Sequence, residues 1–216
     1  MKRTTIWEQT VTPCCFSGNN MENIYINRWS FWEPKENDTE SPQLPFAPTM
    51  FKRRLNQLSR MVLHTVHEVA QGRNDIKITF SSIYGETVQQ CSISMEIGEK
   101  NSVAPAKFGL SVFNVPVALS TILEKNSAGY TALCAGENSF EEGLRDCVSA
   151  LNAGDRERIF VYGDELLPDA FQALGGIKHK PCSLALFLSK EQGSGSILLP
   201  QGPFGTARDF LNAVLV

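Results

Sequence analysis

Helix-like and strand-like segments alternate along this 216-residue chain. Apolar residues recur at steps of three and four from Phe51 to Val69, which predicts one amphipathic helix that ends near Gly72. Short apolar segments predict strands at 24–29, 76–83, 129–134, 158–162 and 183–188. Further helices are predicted at 86–97, 115–125, 139–153 and 207–214. This alternation favours an α/β fold, with helices layered on a mixed, largely parallel sheet.

Composition indicates a folded protein. Apolar residues make up 42% of the chain and charged residues 20%, which excludes a largely disordered protein. No apolar run approaches the roughly 20 residues that cross a bilayer, so no membrane span is expected. The formal charge of −3 offers no basic surface, so no nucleic acid partner is expected.

The first twenty residues show neither a helical nor a strand period and end in Ser-Gly-Asn-Asn. We predict a loose extension over residues 1–20 and a single domain over residues 21–216, with Met21 as a possible natural start. Glu8 and Gln9 fall where a secretory signal would be apolar, so a cytoplasmic location is expected.

Most sequence signatures of a catalytic or cofactor site are absent, including a phosphate loop, a dinucleotide fingerprint and a nucleophile elbow. The six cysteines form no C-x2-C pair, so we expect free thiols, no metal and no cofactor. His64 and His67 share one helix face without a third ligand and are predicted to be solvated or partly buried. His179 is predicted to be exposed. The Gly-Ser-Gly-Ser segment at 193–196 is predicted to form a hairpin loop.

Two polar patterns mark predicted ends of helices and strands. Ser139, followed three residues later by Glu142, fits a capping box at the start of a helix. Asp164 and Glu165 follow a predicted strand, where α/β sheets often carry functional groups. A structural role, in which these carboxylates cap the next turn, is the simpler interpretation.

Three segments together resemble the N-terminal half of the β-ketoacyl synthases, the condensing enzymes of the thiolase fold. The ketosynthase stretch from a Pro and a Phe into Ser-Val-x-Asn is similar to residues 105–114, PAKFGLSVFN. The family's nucleophile turn is similar to residues 130–140, YTALCAGENSF. The end of the next helix and the core strand after it are similar to residues 150–155 and 159–165. The resemblance covers roughly residues 50–165 and implies a thiolase-like (ketosynthase) N-terminal half.

The resemblance places Glu137 where a ketosynthase carries its acyl-binding cysteine. In the family, that cysteine lies 23 residues after the Asn of the first motif and 17 before the Gly that ends the next helix. Counts from Asn114 and from Gly154 both reach Glu137. A carboxylate cannot form the thioester that a thiolate forms. The family's two histidine motifs also lack counterparts, so the resemblance implies a protein without catalytic residues.

The Ala135-Gly136-Glu137 turn is similar to the A-G-G-Q pattern of chain-length factors, which pair with active ketosynthases in type II polyketide systems. Truncated relatives of this kind, the β-ketoacyl synthase-like N-terminal domain proteins, occur with aryl polyene, fatty acid and polyketide gene clusters. The resemblance therefore implies a heterodimer with a β-ketoacyl synthase. Its interface would contain Ser111, Asn114, Tyr130, Ala132, Cys134, Glu137 and Asn138. The acyl tunnel would be shaped by Gln89, Ser92, Met95 and Phe113.

The basic triplet Lys52, Arg53 and Arg54 is a candidate contact for an acyl carrier protein, although a solvated helix face is equally compatible. Two other functions stay open. One is a thiolase-fold enzyme that uses Glu137 as a buried general base near Asp164 or Cys134. The other is a structural homodimer that binds a lipid.

Overall fold

The computed structural model describes residues 23–169, 171 and 180–215. The predicted extension over residues 1–20 lies outside these residues. Six strands of the described chain form one sheet: β1 (Tyr25–Trp32), β2 (Ile78–Ser81), β3 (Tyr130–Leu133), β4 (Glu157–Asp164), β5 (Cys182–Ser189) and β6 (Ile197–Leu198). The helices are α1 (Thr49–Lys52), α2 (Gln57–Ala70), α3 (Thr87–Lys100), α4 (Pro105–Gly109), α5 (Val115–Leu123), α6 (Ser139–Asn152) and α7 (Ala207–Phe210). A π-helical turn over Leu211–Leu215 follows α7.

The sheet is mixed, as predicted, with the strand order β3-β2-β4-β5-β1-β6. Its first three strands run parallel, and Ile78 in the middle strand is paired with Tyr130 on one side and Ile159 on the other. The remaining neighbours, β4-β5, β5-β1 and β1-β6, are antiparallel. The carboxyl ends of β2, β3 and β4 therefore meet at one end of the sheet, where loops can bring polar groups together.

The central strands β2, β4 and β5 are buried on both faces, because helices cover each side of the sheet there. Along β4, Ile159 and Val161 pack with α2, while Phe160 and Tyr162 pack with α6 and α7. This alternation follows from the period of two along a strand. It explains why the central strands read as continuous apolar runs rather than as an alternating pattern.

The single helix predicted from Phe51 to Gly72 is wrong, because the chain forms two helices there. α1 ends at Lys52, and Asn56 interrupts the helical path by capping α2, where its side chain accepts a hydrogen bond from Ser59 N at 2.9 Å. An Asn that bonds to its own backbone competes with helix continuation. The predicted stop is correct to within a residue, since Gln71 closes α2 in the left-handed conformation.

The capping box predicted at Ser139 and Glu142 is also wrong. Asn138 precedes α6 without a side-chain cap, and Ser139 is already helical. The Ser139 hydroxyl instead accepts a hydrogen bond from Ala135 N at 3.0 Å and donates to Gly136 O at 2.7 Å. The hydroxyl thus stabilises the turn before the helix, and a capping box is found at Thr206, before α7.

Residues 193–196 do not form the predicted hairpin loop. β6 pairs with β1, where Ile197 lies opposite Ile26, and β1 lies between β5 and β6. A hairpin would require β5 and β6 to be neighbours, but β1 already occupies that edge of β5 along most of its length. The segment therefore crosses over the end of β1.

Candidate functional site

The candidate site is the turn between β3 and α6. Gly136 has a φ of +58°, a conformation that favours glycine. Asn138 N donates to Ala135 O at 3.2 Å, and Ser139 N donates to Gly136 O at 3.0 Å. These bonds and those of the Ser139 hydroxyl fix the turn at the carboxyl end of β3.

Close packing of α6 on the sheet sets where this turn lies. A Cβ at Gly143 would come within 2.6 Å of the Cβ of Ser81 and 2.8 Å of the Phe160 ring. No side chain fits at this position without a shift of backbone or ring atoms. Gly143 therefore lets the helix approach β2 and β4 closely, one turn after the candidate site.

Glu137 lies on the turn with its side chain exposed to solvent. The general-base alternative required a buried Glu137 near Asp164 or Cys134, and the isolated chain does not bury it. The Cys134 thiol, three residues earlier, donates to Ile83 O at 3.2 Å. It therefore faces the loop after β2.

Asp164 has a structural role in the same neighbourhood. It is fully buried at the end of β4 and accepts hydrogen bonds from Ser82 Oγ at 2.6 Å, from Ile83 N at 3.0 and 3.1 Å, and from Tyr84 N at 3.1 Å. The predicted structural interpretation of Asp164 agrees with this geometry. The loop that it caps follows β2, however, and is not the next turn of its own segment.

The residues predicted for a subunit interface lie mostly along the free edge of the described sheet. Tyr130 and Ala132 belong to β3, and Cys134 to Asn138 form the exposed segment after it. Asn114 joins them, because its Nδ2 donates to the Tyr130 hydroxyl at 2.6 Å. Ser111 is buried and its hydroxyl donates to Phe108 O at 2.8 Å, so it is set back from this edge.

The four predicted tunnel residues have different environments. Met95 is 60% exposed on α3, and Ser92 is partly exposed on the same helix. Gln89 lines a cavity of about 500 Å³ between α2, α3 and α4. Phe113 instead packs into the core, with its ring centroid 5.6 Å from that of Phe80, and it covers Gly85.

Two of the three predicted carrier-protein contacts line the same cavity as Gln89. Arg53 and Arg54 are exposed there, and Lys107 from α4 joins them. Lys52 is the last residue of α1, and its carbonyl accepts a hydrogen bond from Arg60 Nη2 at 2.7 Å. The triplet thus spans the end of α1 and the turn after it instead of one helix face.

The histidines make polar contacts on α2. His67 Nδ1 lies 2.7 Å from Glu124 Oε1, and its ring stacks on Phe46 at a centroid distance of 3.6 Å. His64 Nε2 lies 3.4 Å from Glu68 Oε1. Among the described residues, no group of three or more His, Cys, Asp or Glu side chains could hold a metal ion. His179, Cys14 and Cys15 lie outside the described residues.

Four cysteines in the described ranges are free thiols: Cys91, Cys134, Cys147 and Cys182. Burial raises the pKa of Cys147 and of Cys182 to about 12, so both thiols stay protonated near neutral pH. Neither is therefore suited to act as a nucleophile. No helix in the described part of the chain is long and apolar enough to cross a membrane.

Sequence reasoning singled out Glu165 but missed Glu86, and the structure buries both carboxyl groups at the first turn of α2. Glu86 accepts hydrogen bonds from Ser59 Oγ at 2.9 Å and from Asn56 Nδ2. Glu165 Oε2 accepts from Leu58 N at 3.3 Å. Burial raises the pKa of Glu86 to about 7 and that of Glu165 to about 8. The position of Glu165 directly after a predicted strand marked it as a candidate functional residue. Nothing in the sequence around Glu86 indicates that its side chain is buried.

A family model described as "Beta-ketoacyl synthase, N-terminal domain" matches residues 28–203. The match extends beyond the resembling segments on both sides and includes all of the predicted site residues. No curated protein matches the chain.

Solved structures with a similar fold include a ketosynthase (ApeO) in complex with its chain length factor (ApeC) from Xenorhabdus doucetiae. That similarity has a TM-score of 0.69 at 23% identity and covers 79% of this chain and 80% of the other. The ishigamide ketosynthase/chain length factor matches with a TM-score of 0.60 at 10% identity, over 84% of this chain and 64% of the other. A β-ketoacyl synthase from Burkholderia phymatum STM815 matches with a TM-score of 0.61 at 9% identity, over 79% of this chain and 60% of the other. At these identities the similarity shows a shared fold.

Proposed function

Because the chain belongs to the family of β-ketoacyl synthase N-terminal domains, we propose that it is a non-catalytic subunit that pairs with an active β-ketoacyl synthase and shapes its acyl tunnel. The pathway class that we propose is polyketide or aryl polyene biosynthesis. One observation carries the proposal: the turn before α6 is well ordered by hydrogen bonds, yet it presents Glu137 at the position predicted for the nucleophile. A carboxylate at this position holds no acyl thioester.

An unpaired strand edge supports the need for a partner. Ile78 N and Ser82 N donate to Gly129 O and Leu133 O, so alternate residues of β3 direct their backbone groups toward β2. The backbone N–H and C=O groups of successive residues point to opposite edges of a strand. Those of Tyr130 and Ala132 consequently face the free edge. An exposed edge of this kind can accept a strand of another chain.

Tyr130 on this edge strand supports the same conclusion, because its side chain is 38% exposed. Exposed apolar side chains also occur on α3, α4 and the segment after it, at Met95 (60% exposed), Phe108 (58%) and Val112 (43%). A ketosynthase seated on the β3 edge would remove the Tyr130 ring from water.

In such a heterodimer, we propose that Gln89, Ser92 and Met95 on α3 shape the acyl tunnel of the partner. Each methylene that a tunnel accepts or rejects changes the binding free energy by about 1–3 kcal/mol, which is enough to select a chain length. Phe113 would act indirectly, because it packs against Phe80 and Gly85 and supports the loop between α4 and α5.

We propose that Lys52, Arg53 and Arg54 guide an acidic acyl carrier protein to the complex. Arg53 and Arg54 are exposed at one cavity, so the two arginines place positive charge on a single surface, whereas Lys107 at the same cavity is paired with Glu96. Complementary charge of this kind mainly accelerates encounter and weakens with salt.

The test is reconstitution with the cognate ketosynthase, a carrier protein and an extender unit, with products resolved by mass spectrometry. The wild-type chain should set the product length, and Met95→Ala should shift it toward longer acyl chains. Glu99→Ala, on the exposed end of the same helix, is the matched control and should leave the length unchanged. Identical product profiles with and without the chain would exclude the tunnel role.

The general-base alternative is tested in the same assay. Glu137→Gln keeps the size of the side chain but removes its basicity. Product formation should persist in this variant if Glu137 only occupies space, and it should collapse if Glu137 is a base.

A further inference from the structure

α3 is held to the rest of the protein by few contacts. Of its fourteen residues, only Ile93 is fully buried. A cavity of about 500 Å³ separates part of α3 from α2 and is lined by Gln89 on one side and by Asn56 and Ser59 on the other. The other attachments are polar: Gln90 Nε2 donates to Ser111 O at 2.9 Å, Thr87 Oγ1 donates to Tyr84 O at 2.7 Å, and Glu96 pairs with Lys107 of α4. A helix with so little buried apolar surface is expected to open more easily than the core.

The attachment at the start of α3 is a buried carboxyl group. Glu86 immediately precedes the helix, is fully buried, and accepts hydrogen bonds from Ser59 Oγ and Asn56 Nδ2 in the first turn of α2. Glu165, which is 4% exposed, reaches the same turn from the end of β4 and accepts from Leu58 N. Two carboxyl groups from different elements therefore meet on one helix turn.

Burial favours the protonated form of both carboxyl groups, and neighbouring carboxyl groups add to this effect at Glu165, although hydrogen bonds from Ser59, Asn56 and Leu58 oppose it. Burial is the largest cause of the raised pKa of each carboxyl group, and Glu86 together with Asp164 raises the pKa of Glu165 further. Asp164 also lies at the end of β4 and is bonded to the loop after β2. The cavity that Asn56 and Ser59 line also carries three cations, the exposed Arg53 and Arg54 and the Lys107 that is paired with Glu96. Near neutral pH the pair thus retains a proton.

We propose that Glu86 and Glu165 form a protonation latch that holds the start of α3 against α2 at neutral pH and loosens it when both carboxyl groups ionise. Two carboxylates in a buried site repel one another strongly, because the effective dielectric constant there is far below that of water. The proton leaves to solvent, and Glu86 is the group that moves. Glu86 immediately precedes α3, a weakly packed helix beside a cavity, whereas Glu165 directly follows the central strand β4.

The latch is a property of the chain itself, and only its consequence for acyl length rests on the proposed function. Because α3 carries Gln89, Ser92 and Met95, a loosened helix would widen the range of product lengths at alkaline pH. Loss of pairing with a ketosynthase would remove this consequence but would leave the motion of α3 intact.

Hydrogen exchange of the α3 amides tests the latch in the full-length chain at pH 6 and pH 9, after correction for intrinsic exchange. The wild-type protein should lose protection in α3 about 10-fold or more over this range, since one pKa unit corresponds to a factor of ten. Glu165→Gln keeps the size of the side chain without the charge and should abolish most of that loss. Glu99→Gln, an exposed control on the same helix, should behave as the wild type. An equal loss in wild type and Glu165→Gln, or no loss in either, would overturn the proposal.

A second measurement needs no variant. Carbon-13 NMR of labelled Glu side chains in the wild-type protein follows each carboxyl group directly. Two Glu signals should titrate above pH 6, and the α3 amide signals should shift over the same pH range. Titration of every Glu below pH 5.5 would overturn the latch even if the Gln variants failed to fold.

Discussion

Gly143 of α6 lies against Ser81 of β2 so closely that a Cβ at position 143 would come within 2.6 Å of the Ser81 Cβ. Gly143→Ala should lower the free energy of unfolding by about 1–3 kcal/mol, because α6 must move away from the sheet. Gly98→Ala in α3 is the matched control. It meets no atom within 4 Å and should be neutral or stabilising by up to about 1 kcal/mol. Urea denaturation measures the free energy of unfolding of both variants. Equal changes in the two would show that the close approach of α6 to β2 does not contribute to stability.

Asp164 fixes the loop after β2 through Ser82, Ile83 and Tyr84. Asp164→Ala should reduce the free energy of unfolding by about 1–3 kcal/mol, since it leaves the buried Ser82 hydroxyl and two partly buried N–H donors without their acceptor. Asp38→Ala, at an exposed loop position, is the control and should change stability by less than about 0.5 kcal/mol. A loss no larger than that of the control would contradict the structural role of Asp164.

The free energy of unfolding should fall as the pH rises from about 5 to about 9. The folded-state pKa values of Glu86, about 7, and Glu165, about 8, lie above the ordinary value of 4.5. Groups shifted in this direction stabilise the fold fully below their unfolded pKa, and the contribution is lost as the pH passes through the folded pKa. Each group contributes a slope of up to about 1.4 kcal/mol per pH unit.

Chemical denaturation at several pH values measures this slope. Glu165→Gln should flatten it between pH 5 and pH 8 and should be more stable than wild type at pH 9. Glu99→Gln, with its exposed side chain, should retain the wild-type slope. A wild-type stability that rises from pH 5 to pH 9 would contradict the assignment of the two raised pKa values.

The sequence predicted the described elements well where apolar periodicity is strong. The strand before Asp164 and the helix after Ser139 are found close to their predicted positions, because burial on two faces or on one stripe imposes a clear pattern. The count from Asn114 and Gly154 to Glu137 depends only on the number of residues between the motifs, and the nucleophile position that it assigns to Glu137 stays a prediction.

Predictions failed where local polar bonding decides the structure. Asn56 interrupts a continuous helical pattern by capping α2, and Ser139 bonds to the turn instead of capping α6. The burial of Glu86 depends on how α2 and α3 pack, a relation between distant segments that no local pattern contains. The tunnel role of Phe113 stays a prediction, and its ring packs on Phe80.

The central claim is that this chain pairs with a ketosynthase through the β3 edge. The most direct measurement is size-exclusion chromatography with light scattering after co-expression with the β-ketoacyl synthase encoded nearest to it. We predict a one-to-one complex that Tyr130→Asp disrupts and that Leu198→Asp, an exposed apolar position on the opposite edge strand β6, leaves intact. A chain that stays a monomer or homodimer and does not bind the ketosynthase would contradict pairing through the β3 edge. A complex that Tyr130→Asp leaves intact would contradict it as well.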